Sequence, residues 1–293
     1  MDNFDFMRNE LEDTYGILPL QNKILEIMVY LDEVCKKHHI TYFLMGGSAL
    51  GAMRHKGFIP WDDDLDIFMP YKDYMRFIKL SDKILDKKKY YFQCEDSDEL
   101  PYFFSKLRMN GTTCMDEVNR HKKNMHQGIF VDIMCLNNAA PTTFGKKVQY
   151  YAAGLLKANA VTKTEYKTDD KKKKIELAIA KVFVRGPVKK ALLWLVRRYN
   201  KNETLEVAHL FGRAKYKNSF YQARDFKQQR YVPFEKVKLA VPNGAEHYLV
   251  ARYGARYMDM PSEETKAIYT SHAMIWDVER DFTYYLNQVK HDI

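Results

Sequence analysis

The sequence of 293 residues predicts a single α+β domain that carries a basic, mainly helical insertion at about 140–200. Three observations predict this fold class. Amphipathic helical patterns and short strand patterns follow one another through the first half of the chain. The stretch 144–200 is mostly helical and basic, and neither an internal repeat nor a long linker divides the chain.

The first elements are a helix, a strand and a second helix. Apolar residues recur at steps of three and four between positions 20 and 38, which predicts an amphipathic helix. A short apolar strand at 41–45 runs into Gly46-Gly47. A second helix is predicted at 48–54, because alanine, leucine and methionine are good helix formers and a serine stands near its start.

The next elements surround an acidic cluster. After a loop at 58–61, apolar and acidic residues alternate over 64–69, which predicts a strand with Asp64 and Asp66 on the same face. Pro70 ends this strand. The same patterns predict these further elements: a helix at 71–85, strands at 90–94, 102–109 and 128–136, a turn at Asn110-Gly111, an extended segment at 231–241, and helices at 245–253 and 263–269.

The net charge of +9 is concentrated in one block. Between Lys157 and Lys201 the chain has fourteen Lys or Arg against four Asp or Glu. Such a block favours an anionic partner. Three interpretations stay open for 157–201: a solvated surface, the core-facing helices of an insertion, or peripheral contact with an anionic membrane.

Other sequence features indicate where in the cell the protein is located and the state of its cysteines. No segment approaches the roughly 18–20 apolar residues of a membrane span, and the acidic start MDNFDFMRNE lacks the features of a signal peptide. We therefore expect a cytoplasmic protein, with the inner face of the membrane as a peripheral location. The four cysteines show no C-x-x-C pair, so we expect reduced thiols and neither a zinc site nor a disulfide framework.

A concentration of acids in MGGSALGAMRHKGFIPWDDDLDIFM points to a metal site. Four aspartates within five positions repel one another unless a cation lies among them. Asp64 and Asp66 can jointly hold Mg²⁺, with Mn²⁺ as an alternative, because such ions prefer oxygen ligands. Asp132, within the strand-like GIFVDIMCL, is the third carboxylate if its strand lies beside theirs. Metal-assisted phosphoryl or nucleotidyl transfer is the chemistry that follows.

Phosphate contacts are predicted beside this site. The Gly-Gly turn lets the backbone approach a ligand and aims N–H groups at an anion. The basic candidates for phosphate contact are alternatively solvated charges or counter-ions of Asp62 or Asp63. The predicted donor-binding residues are Gly46, Gly47, Ser48, Arg54, Lys56, Lys106 and Arg108.

The block GGSALGAMRHKGFIPWDDDLDIFMPYKDY resembles the signature of the LicD family, within the wider nucleotidyltransferase superfamily. The similarity continues through Lys106-Leu107-Arg108 and HQGIFVDI, and returns in YLVARYGARYMDMP and near His272. The chain departs from the family pattern after Asp132, where the family often reads like Phe-Pro-Leu-Asp and here Met134-Cys135-Leu136-Asn137 stands. This departure puts the end of that strand, and any acceptor contact there, in question.

The resemblance implies a mixed sheet flanked by helices, Mg²⁺ dependence, and transfer of a phospho-alcohol from a CDP-linked donor to a sugar hydroxyl. Phosphocholine from CDP-choline is the best-known case, and fukutin-related enzymes use CDP-ribitol. The implied acceptor is a cell-surface glycan or its lipid-linked precursor. Asp64 and Asp66 would hold the metal, and Asp132 would complete the site or take the acceptor proton.

Two other functions compete with this interpretation. A nucleotidyltransferase that moves NMP from an NTP to a small molecule or protein would share the metal site. A non-enzymatic polyanion-binding protein would use the basic block alone. We expect no nucleic-acid partner, because no motif that reads DNA or RNA is present and the acidic cluster repels phosphate unless a metal is bound.

Overall fold

The computed structural model describes residues 13–120, 122–164, 166–262, 264, 266 and 273–288, and its fold is α+β. The described helices are α1 (Leu18–Lys37), α2 (Gly46–Arg54), α3 (Tyr71–Ile84), α4 (Thr143–Val161), α5 (Lys171–Phe183), α6 (Gly186–Arg197), α7 (Ala245–Tyr253) and α8 (Phe282–Gln288). The described strands are β1 (Phe43–Leu44), β2 (Asp66–Pro70), β3 (Tyr90–Gln93), β4 (Phe104–Met109), β5 (Thr113–Met115), β6 (Phe130–Asn138), β7 (Glu206–Ala208), β8 (Phe220–Gln222), β9 (Gln229–Phe234), β10 (Val237–Pro242) and β11 (Ile275–Asp277).

The central sheet is mixed and has the strand order β1-β2-β6-β4-β3. Strands β2 and β6 run parallel, whereas β1–β2, β6–β4 and β4–β3 are antiparallel pairs. The far end of β6 extends the sheet through β7 to β8. Because β6 pairs with three strands, it fixes the relative positions of the others.

One face of the central sheet is apolar. Ile67, Leu107 and Ile133 occupy the three strands β2, β4 and β6, and all three are fully buried in the main core. Their sequence neighbours Asp66, Lys106 and Asp132 point to the opposite face, because side chains alternate along a strand. Helices α1 and α3 contact this sheet and bury the apolar positions that the 3–4 spacing predicts.

The basic insertion has a second apolar cluster of its own, formed by α4, α5 and α6 together with residues of the main sheet unit. Two ion pairs tie α6 to the loop after β3. Arg197 pairs with Glu95 at 2.6 Å, and Lys189 pairs with Asp96. The insertion is therefore fixed to the sheet by charge as well as by packing, and the division into one domain with an insertion stays a prediction.

The structure differs from the sequence predictions in four places. Strand β2 begins at Asp66, so Asp64 lies in the segment before the strand and does not share a strand face with Asp66. Helix α2 begins at Gly46, so the two glycines form its first turn rather than a separate loop. The extended segment 231–241 is instead the β9–β10 hairpin, which turns at a residue with positive φ, Glu235. The three-residue strands β5, β7, β8 and β11 were not predicted, because three residues carry no visible period. The predicted helix 263–269 is mostly outside the described residues, as is His272.

All four cysteines are free, and burial raises the pKa of the Cys114 thiol to about 12. Among the described residues no helix has both the length and the apolar character needed to cross a membrane. The cellular location stays a prediction.

His126 is a half-buried histidine that bridges two loops next to β6. Its Nδ1 accepts a hydrogen bond from the Gly128 N–H at 3.2 Å, and its Nε2 lies 3.0 Å from Asn110 Oδ1. Its ring stacks on Tyr91. Burial, followed by the positive charge of Arg108, lowers the pKa of His126 to about 4. The neutral ring is therefore a structural element of this region.

We expect His126 to make the fold acid-sensitive. In the unfolded chain His126 binds a proton below about pH 6.5, whereas in the native protein it does so only below about pH 4. The contribution of the neutral His126 ring to the unfolding free energy is therefore complete above pH 6.5 and is lost as the pH falls through 4. Between about pH 7.5 and 5 the wild type should lose about 1–2 kcal/mol of unfolding free energy that His126→Gln keeps, measured by urea denaturation. An equal decline in both proteins would contradict this role.

Candidate active site

A row of charged side chains crosses three neighbouring strands on the polar face of the sheet. Asp66 on β2 is in register with Asp132 on β6, and Asp132 is in register with Lys106 on β4. In-register partners on adjacent strands point to the same side, so the three side chains lie next to one another. The predicted adjacency of the strands that carry Asp66 and Asp132 is observed.

Lys106 and Asp132 form a nearly buried ion pair. Lys106 Nζ lies 2.6 Å from Asp132 Oδ1, and the two side chains are only 11% and 12% exposed. The contact lacks hydrogen-bond alignment, since Asp132 Oδ1 has no hydrogen-bond partner among the described residues, but at this distance the two charges still neutralise each other. The ammonium also lies 3.4 Å from the centre of the Phe130 ring. Lys106 is thus held at the β4 end of the row, next to Asp132 at its centre.

Asp66 is a buried carboxyl group whose charged form is disfavoured. Its Oδ1 atom is buried and has no hydrogen-bond partner among the described residues. Burial raises the pKa of Asp66 well above its usual range, and the charges of Asp64 and Asp132 raise it further, whereas Lys106 lowers it. An ionised Asp66 therefore calls for additional positive charge beyond that of Lys106.

The backbone at Asp66 is clamped to the start of α2. Its N–H donates to Ser48 Oγ at 2.8 Å, and its carbonyl accepts from the Met45 N–H at 3.0 Å. Ser48 is buried, and through this bond its hydroxyl fixes the position of the Asp66 backbone. The predicted contact of Ser48 with donor phosphate stays a prediction.

The two glycines bring α2 close to the acids. Gly46 has a φ of +53°, which favours glycine, and a Cβ there would lie 4.0 Å from Asp66 Oδ2. A Cβ at Gly47 would lie 2.6 Å from Asp62 Oδ2, so a larger residue would require the Asp62 carboxylate to move. The amino end of α2 thus faces carboxylates, which its dipole favours. A phosphate would meet the same partial positive charge.

Helix α7 supplies two tyrosines that sequence reasoning did not select. Tyr248 Oη accepts a hydrogen bond from the Gly46 N–H at 2.8 Å. The Tyr253 hydroxyl would lie 3.6 Å from a Cβ at Gly46. Burial and the charges of Asp62 and Asp66 raise the pKa of Tyr253. Both tyrosines lie in YLVARYGARYMDMP, so the resemblance marked the segment without marking the residues.

Two of the remaining basic candidates, Arg54 and Arg108, make hydrogen bonds within the protein. Arg54 donates to the carbonyls of Tyr257 and Asp259, at 3.3 and 2.9 Å. Arg108 is 2% exposed and donates to Gln93 Oε1 and the Gly128 carbonyl, both at 2.6 Å.

The side chain of Lys56 is exposed, whereas its carbonyl accepts from the Glu235 N–H at 2.7 Å. Lys106 is thus the basic candidate that the structure places within the charged row. Phosphate contacts by Arg54, Lys56 and Arg108 stay predictions.

The fit to a divalent ion is clear for part of the predicted ligand set. The unpartnered, buried Asp66 Oδ1 and the nearby charge of Asp64 match what a hard cation requires. However, within the described ranges no three His, Cys, Asp or Glu side chains are grouped closely enough to hold a metal ion. Asp132 is engaged by Lys106 instead. Its service as a third ligand stays a prediction and requires that ion pair to open.

The departure after Asp132 has a structural counterpart. Asn137 is fully buried near the end of β6, and its Oδ1 accepts a hydrogen bond from Asn200 Nδ2 at 2.9 Å. The neighbouring Asn138 N–H donates to Asn200 Oδ1 at 2.6 Å. The end of β6 is therefore bound to the segment that follows α6. The side chains of Asn137 and Asn200 are neutral amides, so their contact needs no counter-ion, as an acid at this place would.

Comparison with known proteins finds a family match within the first half of the chain. Residues 39–135 match the family model described as LicD/FKTN/FKRP, nucleotidyltransferase domain. Residues 39–135 are a LicD-family domain. This LicD domain contains the strands β2, β4 and most of β6, and therefore the whole charged row.

Three curated relatives align with shorter segments. The lipopolysaccharide cholinephosphotransferase LicD of Haemophilus influenzae is 50% identical over 54 residues, which cover 18% of this chain and 20% of the relative. An uncharacterised protein of Rickettsia typhi is 41% identical over 54 residues, which cover 18% of this chain and 18% of that protein. An uncharacterised protein of Rickettsia prowazekii is 42% identical over 50 residues, which cover 17% of this chain and 19% of that protein. The alignments span about a fifth of the length of each relative.

We expect Asp66→Asn to separate metal binding from folding. Because the native pKa of Asp66 is raised, the native protein holds a proton that the unfolded chain has released, so stability falls as pH rises from about 4 through that raised pKa. The amide should flatten this decline. It should also abolish the rise in melting temperature that millimolar Mg²⁺ gives the wild type.

Asp82→Asn is the matched control for this measurement, because the Asp82 side chain is 86% exposed. It should keep the wild-type response to Mg²⁺. Equal stabilisation of Asp66→Asn and the wild type by Mg²⁺ would remove Asp66 from the metal site.

Proposed function

We propose that this chain is a metal-dependent phosphotransferase. In this proposal it moves a phospho-alcohol, with phosphocholine as the first choice, from a CDP-linked donor to a sugar hydroxyl and releases CMP. The acceptor is a cell-surface glycan or its lipid-linked precursor. The observation that carries the proposal is the register of Asp66 with Asp132 beside the Gly46-Gly47 turn. The Haemophilus influenzae relative is named as a lipopolysaccharide cholinephosphotransferase, which supports phosphocholine as the transferred group.

The transfer is a substitution at phosphorus. The acceptor oxygen forms a new bond to the phosphorus that bears the alcohol, the bond from that phosphorus to the CMP oxygen breaks, and the acceptor proton passes to a base. Such a reaction depends mainly on positioning and on neutralising charge. A protein site for it needs carboxylates, cations and N–H groups within one small volume, and the charged row with the start of α2 has all three.

The residues of the row and those next to it each have a proposed role. Asp64 and Asp66 would hold Mg²⁺ or Mn²⁺, which when bound neutralises charge on the donor phosphates. Lys106 would contact a phosphate oxygen, since its ammonium is held beside the acids. Asp132, the partner of Lys106, is the candidate base for the acceptor proton. Gly46 and Gly47 would admit the donor to the amino end of α2.

A nucleotidyltransferase is the second candidate, because the description of the matching family model contains that activity. It would use the same acids to move NMP from an NTP. The two reactions differ in the leaving group. Pyrophosphate release from an NTP supports the nucleotidyltransferase, whereas CMP release from a CDP-alcohol supports the phosphotransferase.

We expect CMP release from at least one of CDP-choline, CDP-ribitol and CDP-glycerol when the full chain, Mg²⁺ and a glycan acceptor are combined. Asp64→Ala and Asp66→Ala should each lower the rate by about 100-fold or more, because ligand loss removes several kcal/mol of charge stabilisation. Asp82→Ala is the surface control and should keep the wild-type rate. Near-normal turnover by Asp64→Ala or Asp66→Ala would overturn the metal assignment.

A further inference from the structure

Helix α5 turns an apolar stripe toward solvent. Ile175, Ile179, Val182 and Phe183 recur at steps of four, three and one, and they are 61%, 47%, 61% and 66% exposed. The opposite side of α5 packs into the core of the insertion through Leu177, Ala180 and, at its end, Val184. The outward stripe is therefore additional to the side that the fold needs.

Positive charge surrounds this stripe. The exposed basic residues of α5 and its carboxyl end are Lys171, Lys172, Lys174, Lys181 and Arg185. The helix contains a single acid, Glu176, and that acid pairs with Lys173 at 2.9 Å. An apolar stripe with basic flanks and low overall hydrophobicity is the pattern of a helix that lies in a membrane interface.

Helix α6 also has exposed apolar side chains with a basic residue beside them. On α6, Val188 is 48% exposed and Trp194 is 58% exposed. The Arg198 guanidinium lies 4.6 Å from the Trp194 ring. Tryptophan and arginine are favoured where apolar chains meet charged head groups.

The charge pattern also decides between lipid and a second copy of the chain. A symmetric dimer through α5 would bring the same lysines of both copies together. This costs free energy because the acids at this helix are already engaged: Glu176 pairs with Lys173, Asp169 pairs with Lys174, and Asp170 caps the amino end. An anionic bilayer opposes every lysine and accepts the apolar stripe at once. The complementary partner is therefore a negatively charged lipid surface.

We propose that α5 docks this protein on an anionic membrane, with the apolar stripe among the acyl chains and the lysines at the head groups. The α6 ion pairs to Glu95 and Asp96 would transmit the orientation of the insertion to the catalytic sheet. The proposal concerns binding alone, so it stands or falls independently of the phosphotransferase activity.

The test is sedimentation of the full chain with vesicles. Vesicles with about one third phosphatidylglycerol should carry the protein down, whereas pure phosphatidylcholine should carry much less. Raising the salt from about 0.1 to 0.5 M should weaken the binding, because the surface charges are then screened. The double variant Ile179→Glu with Val182→Glu should lower the partition coefficient about tenfold or more.

Leu205→Glu is the matched control, because Leu205 is an 89% exposed apolar residue outside α5 and α6. It should bind vesicles as the wild type does, and both variants should keep the wild-type melting temperature. Absence of binding by the wild type, or equal binding by the double variant, would overturn the proposal. A wild-type dimer in analytical ultracentrifugation that the double variant abolishes would assign the stripe to a second copy instead.

Discussion

The parallel pairing of β2 with β6 is the contact on which the candidate site depends. It sets Asp66 directly beside Asp132, and it makes two acids share one small, largely buried volume. Such an arrangement is costly unless cations balance it. Lys106 supplies one positive charge from β4, but the buried Asp66 Oδ1 still has no hydrogen-bond partner within the described part of the chain. The unbalanced charge is what makes this sheet face suited to a divalent ion and a phosphate ester.

The rest of the molecule keeps this row in place. Ser48 and Met45 hold the backbone of Asp66, and Tyr248 from α7 holds Gly46. Residues distant in sequence thereby support a motif that looks self-contained when it is read along the chain. The insertion adds support from the other end of β6 through Asn200 and through the Arg197–Glu95 ion pair. These contacts hold the acids in place although their like charges repel one another.

Sequence patterns predicted the parts of the fold that repeat a period. The helix at 245–253 matches α7. The alternation over 64–69 predicted a strand that carries Asp66, but the strand begins at Asp66 and leaves Asp64 outside it. The ion pair of Lys106 with Asp132 was not predicted, because it depends on the register between β4 and β6, which the sequence does not reveal. Tyr248 and Tyr253 were missed for a similar reason, since an isolated tyrosine on a helix does not indicate which loop it will contact. Short strands such as β7 depend on their neighbours for pairing.

The most direct measurement is a crystal structure of the protein with Mn²⁺ and CDP-choline, in which anomalous scattering locates the metal. Our account predicts a manganese peak at about 2.0–2.2 Å from carboxylate oxygens of Asp64 and Asp66, with the donor phosphates at the amino end of α2. A peak bound by other side chains, with Asp64 and Asp66 away from both metal and nucleotide, would contradict it.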